Sequence, residues 1–183
     1  MRADARKNRD HLLSVAGAAI TEQGVDASLR DIARRADVGL ATLIRHFPTR
    51  EALLEALLRT NFDELAVKAT DLETSGEPDE ALASWLRDFV ACAHNYRGVI
   101  ELMVTAIEDP QSALHASCVA MRAAGTRLLT RAQAQGLARS DIDGTDLFAL
   151  AGSLAWLSDQ PSFAARTDHL FDVVVSAILR PGT

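Results

Sequence analysis

Cysteine is scarce in this chain of 183 residues, which contains only Cys92 and Cys118. The two lie far apart in apolar stretches and form no C-x-x-C pair, so neither a disulfide framework nor a cysteine metal site is expected. A chain of this length buries about 70% of its unfolded surface on folding and needs no such cross-link. We therefore predict ordinary buried thiols in a reducing compartment and a cytoplasmic protein.

Long hydrophobic runs are also missing. The apolar stretch Leu147–Ser158 holds 12 residues, whereas a transmembrane helix needs about 20. Basic residues precede the apolar run Leu12–Ile20, but Asp4, Asp10 and His11 interrupt the approach, so we expect no secretory signal. A membrane is not predicted as a partner.

Motifs that mark enzymes are absent from the sequence. It contains no G-x-S-x-G, no glycine-rich phosphate loop and no paired metal-ligand histidines. His11, His94, His115 and His169 are widely spaced. We therefore expect a protein that is not an enzyme and that uses neither a metal nor a cofactor.

Positive charge is in the minority, yet it is concentrated near the N-terminus. Residues 1–60 contain 10 Lys and Arg against 8 Asp and Glu, whereas residues 61–183 contain 9 against 17. The segment LATLIRHFPTRE, residues 40–51, alone carries Arg45, His46 and Arg50. This asymmetry is typical of a nucleic-acid-binding head on a body that does not bind nucleic acid.

The apolar spacing predicts an all-α protein, because apolar residues recur at intervals of three and four and no sustained alternation indicates a strand. Gly24 is expected to end the first helix, Ser28 to cap the second and Thr49 to cap a long fourth helix. The expected helices of the N-terminal part are 6–23, a short one after Ser28, 40–47 ending before Pro48, and 50 to about 69.

The second and third helices and the turn between them fit a helix-turn-helix, in which the second helix of the pair enters the major groove of DNA. Val38 is the apolar residue inside the turn. On a helical wheel Leu43 and Phe47 centre the buried side, with Leu40 and Ile44 flanking it. The open arc contains Ala41, Thr42, Arg45 and His46.

The segment SLRDIARRADVGLATLIRHFPTREALLEAL resembles the DNA-binding domain of the TetR family of transcriptional regulators, and the likeness covers about residues 8–60. The resemblance implies an N-terminal helix-turn-helix head joined by a long helix to a helical ligand-binding and dimerisation body, with about nine helices in all. The corresponding domains are residues 1–50 and 51–183.

The resemblance also implies which residues meet DNA. Arg45 is suited to a bidentate contact with a guanine edge, and Leu40 and Ala41 offer apolar contact to a thymine methyl. Three positions depart from the family pattern: Ile44 replaces a phosphate-binding tyrosine, Gly39 a serine cap and Asp37 a turn glycine. The expected DNA-binding set is Arg30, Gly39, Leu40, Ala41, Thr42, Arg45, His46 and Arg50, with His46 and Arg50 meeting phosphates.

Bulky, adaptable side chains recur on three consecutive helices of the body. By resemblance they are expected to line an effector cavity, for which His94, Asn95 or His115 could provide polar contacts. The alternative is that they form a solid core, as such stripes do in every helical bundle. The expected ligand-binding set is Trp85, Phe89, Cys92, Met103, Ile107, Cys118 and Met121.

The last two helices are apolar nearly all round, so they must be covered on two sides. The family's final two helices form a twofold interface, and we expect the same here. Complete burial within one chain is the alternative. The expected interface set is Leu147, Leu150, Ala151, Leu154, Val173, Val174, Ala177 and Ile178.

The sequence thus predicts a homodimeric transcriptional regulator, a repressor that a small, mostly apolar effector releases from a palindromic double-stranded DNA operator. One alternative is a ligand-independent DNA-binding or interaction module of the same fold with a solid core. A second is a small-molecule-binding helical protein whose head is not used on DNA.

Overall fold

The structure, a computed structural model, describes residues 2–96 and 98–180, with side chains from residue 7 onward. Within these ranges the chain is all-α, as predicted, and its one sheet-like feature is an antiparallel bridge between Ala138 and Leu179. The helices are α1 (Arg2–Gln23), α2 (Leu29–Arg35), α3 (Leu40–His46), α4 (Arg50–Thr74), α5 (Pro78–His94), α6 (Val99–Glu108), α7 (His115–Ala134), α8 (Gly144–Ser158) and α9 (Thr167–Ile178).

Most predicted boundaries of the N-terminal helices are confirmed. Gly24 ends α1 with a φ of 85°, a left-handed conformation that glycine adopts without a steric cost. Thr49 caps α4, since its hydroxyl oxygen accepts a hydrogen bond from the Ala52 amide at 3.1 Å. The helix after Thr49 is longer than predicted and extends past Ala69 to Thr74.

The predicted side-chain cap at Ser28 is wrong. Among the residues described, no helix amide donates to the Ser28 hydroxyl, although its backbone carbonyl accepts from Ile32 at 2.9 Å. The start of α2 is held by Asp31 instead, whose carboxylate accepts from Gln23 of α1 and from Arg35 of its own helix. A carboxylate in the first turn also compensates the free amides electrostatically.

Helix α5 begins at a proline, since Pro78 occupies its first turn, where the missing amide hydrogen is not needed. At the start of α8, Asp143 and Asp146 form a capping box in which each side chain accepts from the other's backbone amide. In the described ranges, no helix is both long and apolar enough to cross a bilayer.

Two hydrophobic cores lie on either side of α4. The head core joins α1 to α3 with the first half of α4, and the body core joins α4 to α9. Neighbouring residues of α4 enter different cores, since Leu57 packs in the head and Leu58 in the body. A displacement of α4 therefore disturbs both cores, because close-packed interiors transmit strain.

Candidate DNA-binding surface and body cleft

The recognition helix α3 presents its predicted faces. Leu43 and Phe47 are buried in the head core, while Ala41 and Arg45 are exposed. Ile44 was predicted to flank the buried side, but 43% of its surface is exposed, because the strip that packs in the head core centres on Leu43 and Phe47. The open face of α3 is thus partly apolar and carries one central cation.

The remaining predicted DNA-binding residues lie on or beside this face. Arg30 and Gly39 are exposed, whereas Leu40, Thr42 and His46 are partly buried. In the part of the chain that the structure describes, Arg30 and Arg45 have neither a hydrogen-bond acceptor nor an ion-pair partner. Their guanidinium groups are therefore available to a polyanion.

Two other arginines of the head are already engaged. Arg34 and Arg35 both bind the Asp31 carboxylate, and Arg35 also pairs with Glu22 of α1 at 2.7 Å. The hydrogen bond from Arg34 is the largest cause of a lowered Asp31 pKa. This cluster fixes α2 against α1 and so fixes the helix against which α3 packs.

Asp37 is the unusual residue of this surface. It lies in a groove of about 460 Å³ that Arg30, Arg34 and Leu40 also border, and its φ of 53° is in the left-handed region. Aspartate adopts that conformation more readily than most residues, but less readily than glycine. An exposed carboxylate beside the arginines also opposes the approach of phosphates.

Asp37→Asn is expected to raise the affinity for duplex DNA of any sequence by about two- to tenfold at low salt, because it removes a negative charge and keeps a side chain tolerated at positive φ. Fluorescence anisotropy with a random-sequence duplex measures this. Asp168→Asn, in the exposed first turn of α9, is the control with the same charge change and should bind like the parent. Equal affinity of the Asp37→Asn variant and the parent would place the groove away from DNA.

Arg50 has an intramolecular role that the resemblance did not imply. Its Nη1 donates to the backbone carbonyls of Val25 and Ala27 at 2.8 and 2.6 Å. These bonds fasten the first residue of α4 to the loop between α1 and α2. A phosphate contact by its other N–H groups stays a prediction, but the observed bonds make Arg50 a positioning residue of the head.

The structure brings the seven predicted effector residues together in the body core. Met103, Cys118 and Met121 are fully buried there, and Cys92 and Ile107 pack against the cluster. Burial raises the pKa of both thiols to about 11, as expected of structural cysteines. These side chains pack against one another, so their role in ligand binding stays a prediction.

Trp85 and Phe89 border a narrow cleft between α5, α7 and α8. Their rings are stacked with centroids 5.8 Å apart, and Phe148 of α8 tilts against Phe89 at 5.6 Å. The cleft holds about 10 Å³, which is room for about one water molecule. Arg122 is the one charged residue on its wall.

Trp85 also connects the cleft to α4. Its indole Nε1 donates to the carbonyl of Leu65 at 3.0 Å, deep in the body core. On its other side the ring lies so close to Gly125 that a Cβ there would meet it at 2.6 Å. The indole is thus wedged between α7 and α4, and any group that displaces it acts on the helix that carries the head.

The predicted dimer residues divide into two groups. Leu150, Val173 and Ala177 are exposed and Val174 is partly buried. The other four face the interior of the same chain, because one side of each helix completes the body core: Leu147, Ala151, Leu154 and Ile178. A partner that packs against α8 and α9 would therefore contact the exposed group.

Three residues of these surfaces are not predicted by the sequence. Trp156 is 51% exposed on α8, and the helical wheel of α8 places it opposite the buried residues. Phe148 and Arg122 line the cleft, but an isolated arginine within a helical stripe gives no sequence signal of that position.

Comparison with known proteins identifies the family. Residues 12–57 match the profile described as bacterial regulatory proteins of the tetR family, and residues 77–179 match the C-terminal domain of SbtR-like transcriptional regulators. The chain belongs to the TetR family, and it is a DNA-binding transcriptional regulator.

Similar proteins of known structure span nearly the whole chain. The TetR regulator SCO0520 from Streptomyces coelicolor is 35% identical, covering 95% of this chain and 99% of that one with a TM-score of 0.69. A TetR regulatory protein from Mycobacterium vanbaalenii is 30% identical, covering 98% and 99% with a TM-score of 0.66. The transcriptional repressor KstR2 of Mycobacterium tuberculosis is 26% identical over 157 residues, which are 82% of this chain and 78% of that protein.

Proposed function

We propose that this regulator is a homodimeric repressor that binds a palindromic operator and leaves it when a small, mostly apolar effector enters the body. The observation that carries the proposal is the attachment of α4 at its first residue and at its middle. Trp85 holds the middle of α4 from the cleft, and Arg50 holds its first residue to the head. The relative KstR2 is named a repressor, which supports repression over activation.

Dimerisation is supported by apolar surface on the last two helices. Leu150 of α8 is 38% exposed, and Val173 of α9 is 50% exposed. α8 and α9 pack against each other, so these side chains lie on adjoining helices. Exposed apolar surface of this kind marks a protein interface, and a twofold axis through it would pair each helix with its copy.

A twofold dimer would bind a palindromic operator. Two copies of α3 must meet major-groove faces one helical turn of DNA apart, or a multiple of that distance. A shift of α4 changes the separation of the two heads, because α4 shares its residues between both cores. An effector releases DNA to the extent that it binds the wrongly spaced state more tightly.

A ligand-independent regulator is the second candidate, and the small cleft favours it. A cleft with room for about one water molecule binds an effector only if side chains move. The two candidates differ in one result: compounds release DNA from an effector-controlled repressor and have no effect on a ligand-independent regulator.

The experiment starts by selecting genomic duplexes that the purified protein binds, followed by a screen for compounds that release them. Trp85→Phe then tests the coupling, because phenylalanine keeps an aromatic ring but removes the hydrogen bond to Leu65. The variant is expected to bind DNA within about twofold of the parent and to need an about fivefold different compound concentration for release, the equivalent of one hydrogen bond.

Thr130→Val is the matched control, because it also removes one side-chain donor to a backbone carbonyl, that of Thr126 at 2.9 Å, but lies on the exposed side of α7. It should respond to the compound like the parent. If Trp85→Phe needed the same compound concentration as the parent, the indole would have no role in coupling the cleft to α4.

A further inference from the structure

Arg122 differs from the other described arginines of α7. Arg127 pairs with Glu73 at 2.6 Å, and Arg131 donates to the backbone carbonyls of Leu72 in the last turn of α4 and Gly76 just after it. Arg122 is partly buried and, within the described ranges, its guanidinium contacts neither an acceptor nor a carboxylate at ion-pair distance. An anion placed beside this guanidinium would therefore meet no competing partner.

The nearest carboxylate does not fill this role. The amides of Asp146 and Thr145 donate to the Asp143 carboxylate at 3.1 and 2.7 Å and are the largest causes of its lowered pKa, to which the Arg122 charge adds. Asp143 therefore caps α8 and leaves the Arg122 guanidinium at the cleft without a direct partner.

The walls of the cleft are otherwise apolar or small. Trp85, Phe89 and Leu147 form its interior with Phe148, and Arg122 is the charged group among them. A cation at the edge of an aromatic cleft fits a molecule with one anionic end and an apolar remainder. The N–H groups of a guanidinium match two anionic oxygens in one plane.

Phe148 is the residue whose movement would enlarge this cleft. The same ring borders an outer groove of about 540 Å³ between α6 and α8, together with Ile100, Val104 and Trp156. Phe148 is only partly buried and lines both spaces, so an outward rotation of its ring would join the cleft to the groove. Such rotamer changes are fast and cost little compared with a movement of the backbone.

We propose that the cleft takes an anionic amphiphile, a carboxylate or similar oxyanion on an apolar body, with Arg122 binding the oxyanion and Phe148 turning outward to admit the body. This proposal rests on the proposed function, because it specifies the chemical class of the effector. It also replaces the histidine and asparagine contacts expected from the sequence with an arginine at the junction of α7 and α8.

The test uses decanoate and decanol, which share an apolar chain and differ in charge near pH 7. The chain has two tryptophans, so in a Trp156→Phe background Trp85 is the sole indole, and its fluorescence reports on the cleft. All probes and variants are compared within this background, which keeps an aromatic ring on the wall of the groove. Decanoate is expected to bind at least about tenfold more tightly than decanol, as a charge-assisted contact provides. Phe148→Ala should speed the association of both probes.

The variants separate the charge of Arg122 from its packing. Arg122→Gln should abolish the preference for decanoate and leave decanol binding unchanged, whereas Arg122→Lys should retain part of the preference. Arg166→Gln has the same charge change at an exposed site in the turn before α9, and it should behave like the parent. Thermal unfolding followed by circular dichroism checks that each variant is folded.

Equal binding of decanoate and decanol to the parent, binding of neither, or an undiminished preference in Arg122→Gln would each overturn the inference. The release of a selected duplex by a compound tests the proposed function separately. If decanoate binds through Arg122 and leaves the DNA complex intact, the anion site stands and its effector role fails. If other compounds release DNA while decanoate does not bind, the effector role stands and the anion site fails.

Discussion

Val173→Asp is expected to convert the dimer into monomers at micromolar protein concentration. Val173 is half exposed on α9, so the substitution leaves the core of the chain intact. In a twofold interface the same change puts one unpaired carboxylate on each side, and the dissociation constant should rise about a hundredfold or more. Sedimentation equilibrium measures this change directly.

Val67→Asp is the matched control for that experiment. Val67 is 63% exposed in the middle of α4, away from α8 and α9, so it should leave the dimer intact. The Val173→Asp monomer should also lose most of its operator affinity, because the two heads no longer bind as a unit. A parent that sediments as a monomer would refute the interface, and a Val173→Asp variant that stays dimeric would place the interface elsewhere.

Arg45→Ala is expected to cost about 1 to 3 kcal/mol per half-site on a selected operator and to relax the preference at one base pair in each half-site. Arg45 is exposed at the centre of the open face of α3, and no residue in the described part of the chain competes for its guanidinium. Affinities for the operator and for its single-base variants, measured by anisotropy, give the result.

Two controls separate base recognition from general charge. Arg166→Ala removes a cation from the exposed turn before α9 and should leave operator affinity within about twofold at moderate salt, since distant exposed charges are screened. Arg30→Ala removes a cation of the DNA surface and should weaken binding to all sequences alike. An Arg45→Ala variant that still distinguished the single-base variants as the parent does would show that α3 does not read the bases through this residue.

The sequence was a good guide where local periodicity decides the outcome. Leu43 and Phe47 are predicted to be buried by the spacing of a single helix, and both are. Thr49 and Pro78 act through local backbone chemistry, which follows from the residue type. The family resemblance added the arrangement of head and body that periodicity alone does not determine.

The sequence was a poorer guide where a helix has two apolar sides. Leu147 and Leu150 look alike in α8, but the first completes the body core and the second faces outward. Which side meets the core depends on how α8 packs against α5 and α7, and the pattern within α8 does not contain that information. The interface prediction therefore combined core residues with surface residues.

Contacts between distant parts of the chain were also beyond the sequence. Arg50 reaches the carbonyls of Val25 and Ala27 only because the turn before α2 lies beside the start of α4. Trp85 is one bulky residue in an apolar stripe until the structure shows its hydrogen bond to α4. Both contacts involve backbone carbonyls, which carry no residue-specific signal in the sequence.

The most direct measurement is the equilibrium affinity of the parent protein for a selected genomic duplex over a range of salt concentrations. A head that places arginines on phosphates releases counterions, so the logarithm of the association constant should fall linearly with the logarithm of the salt concentration. Binding should saturate at two chains per palindromic site. Affinity independent of salt, or no duplex bound above the level of a random sequence, would contradict the account.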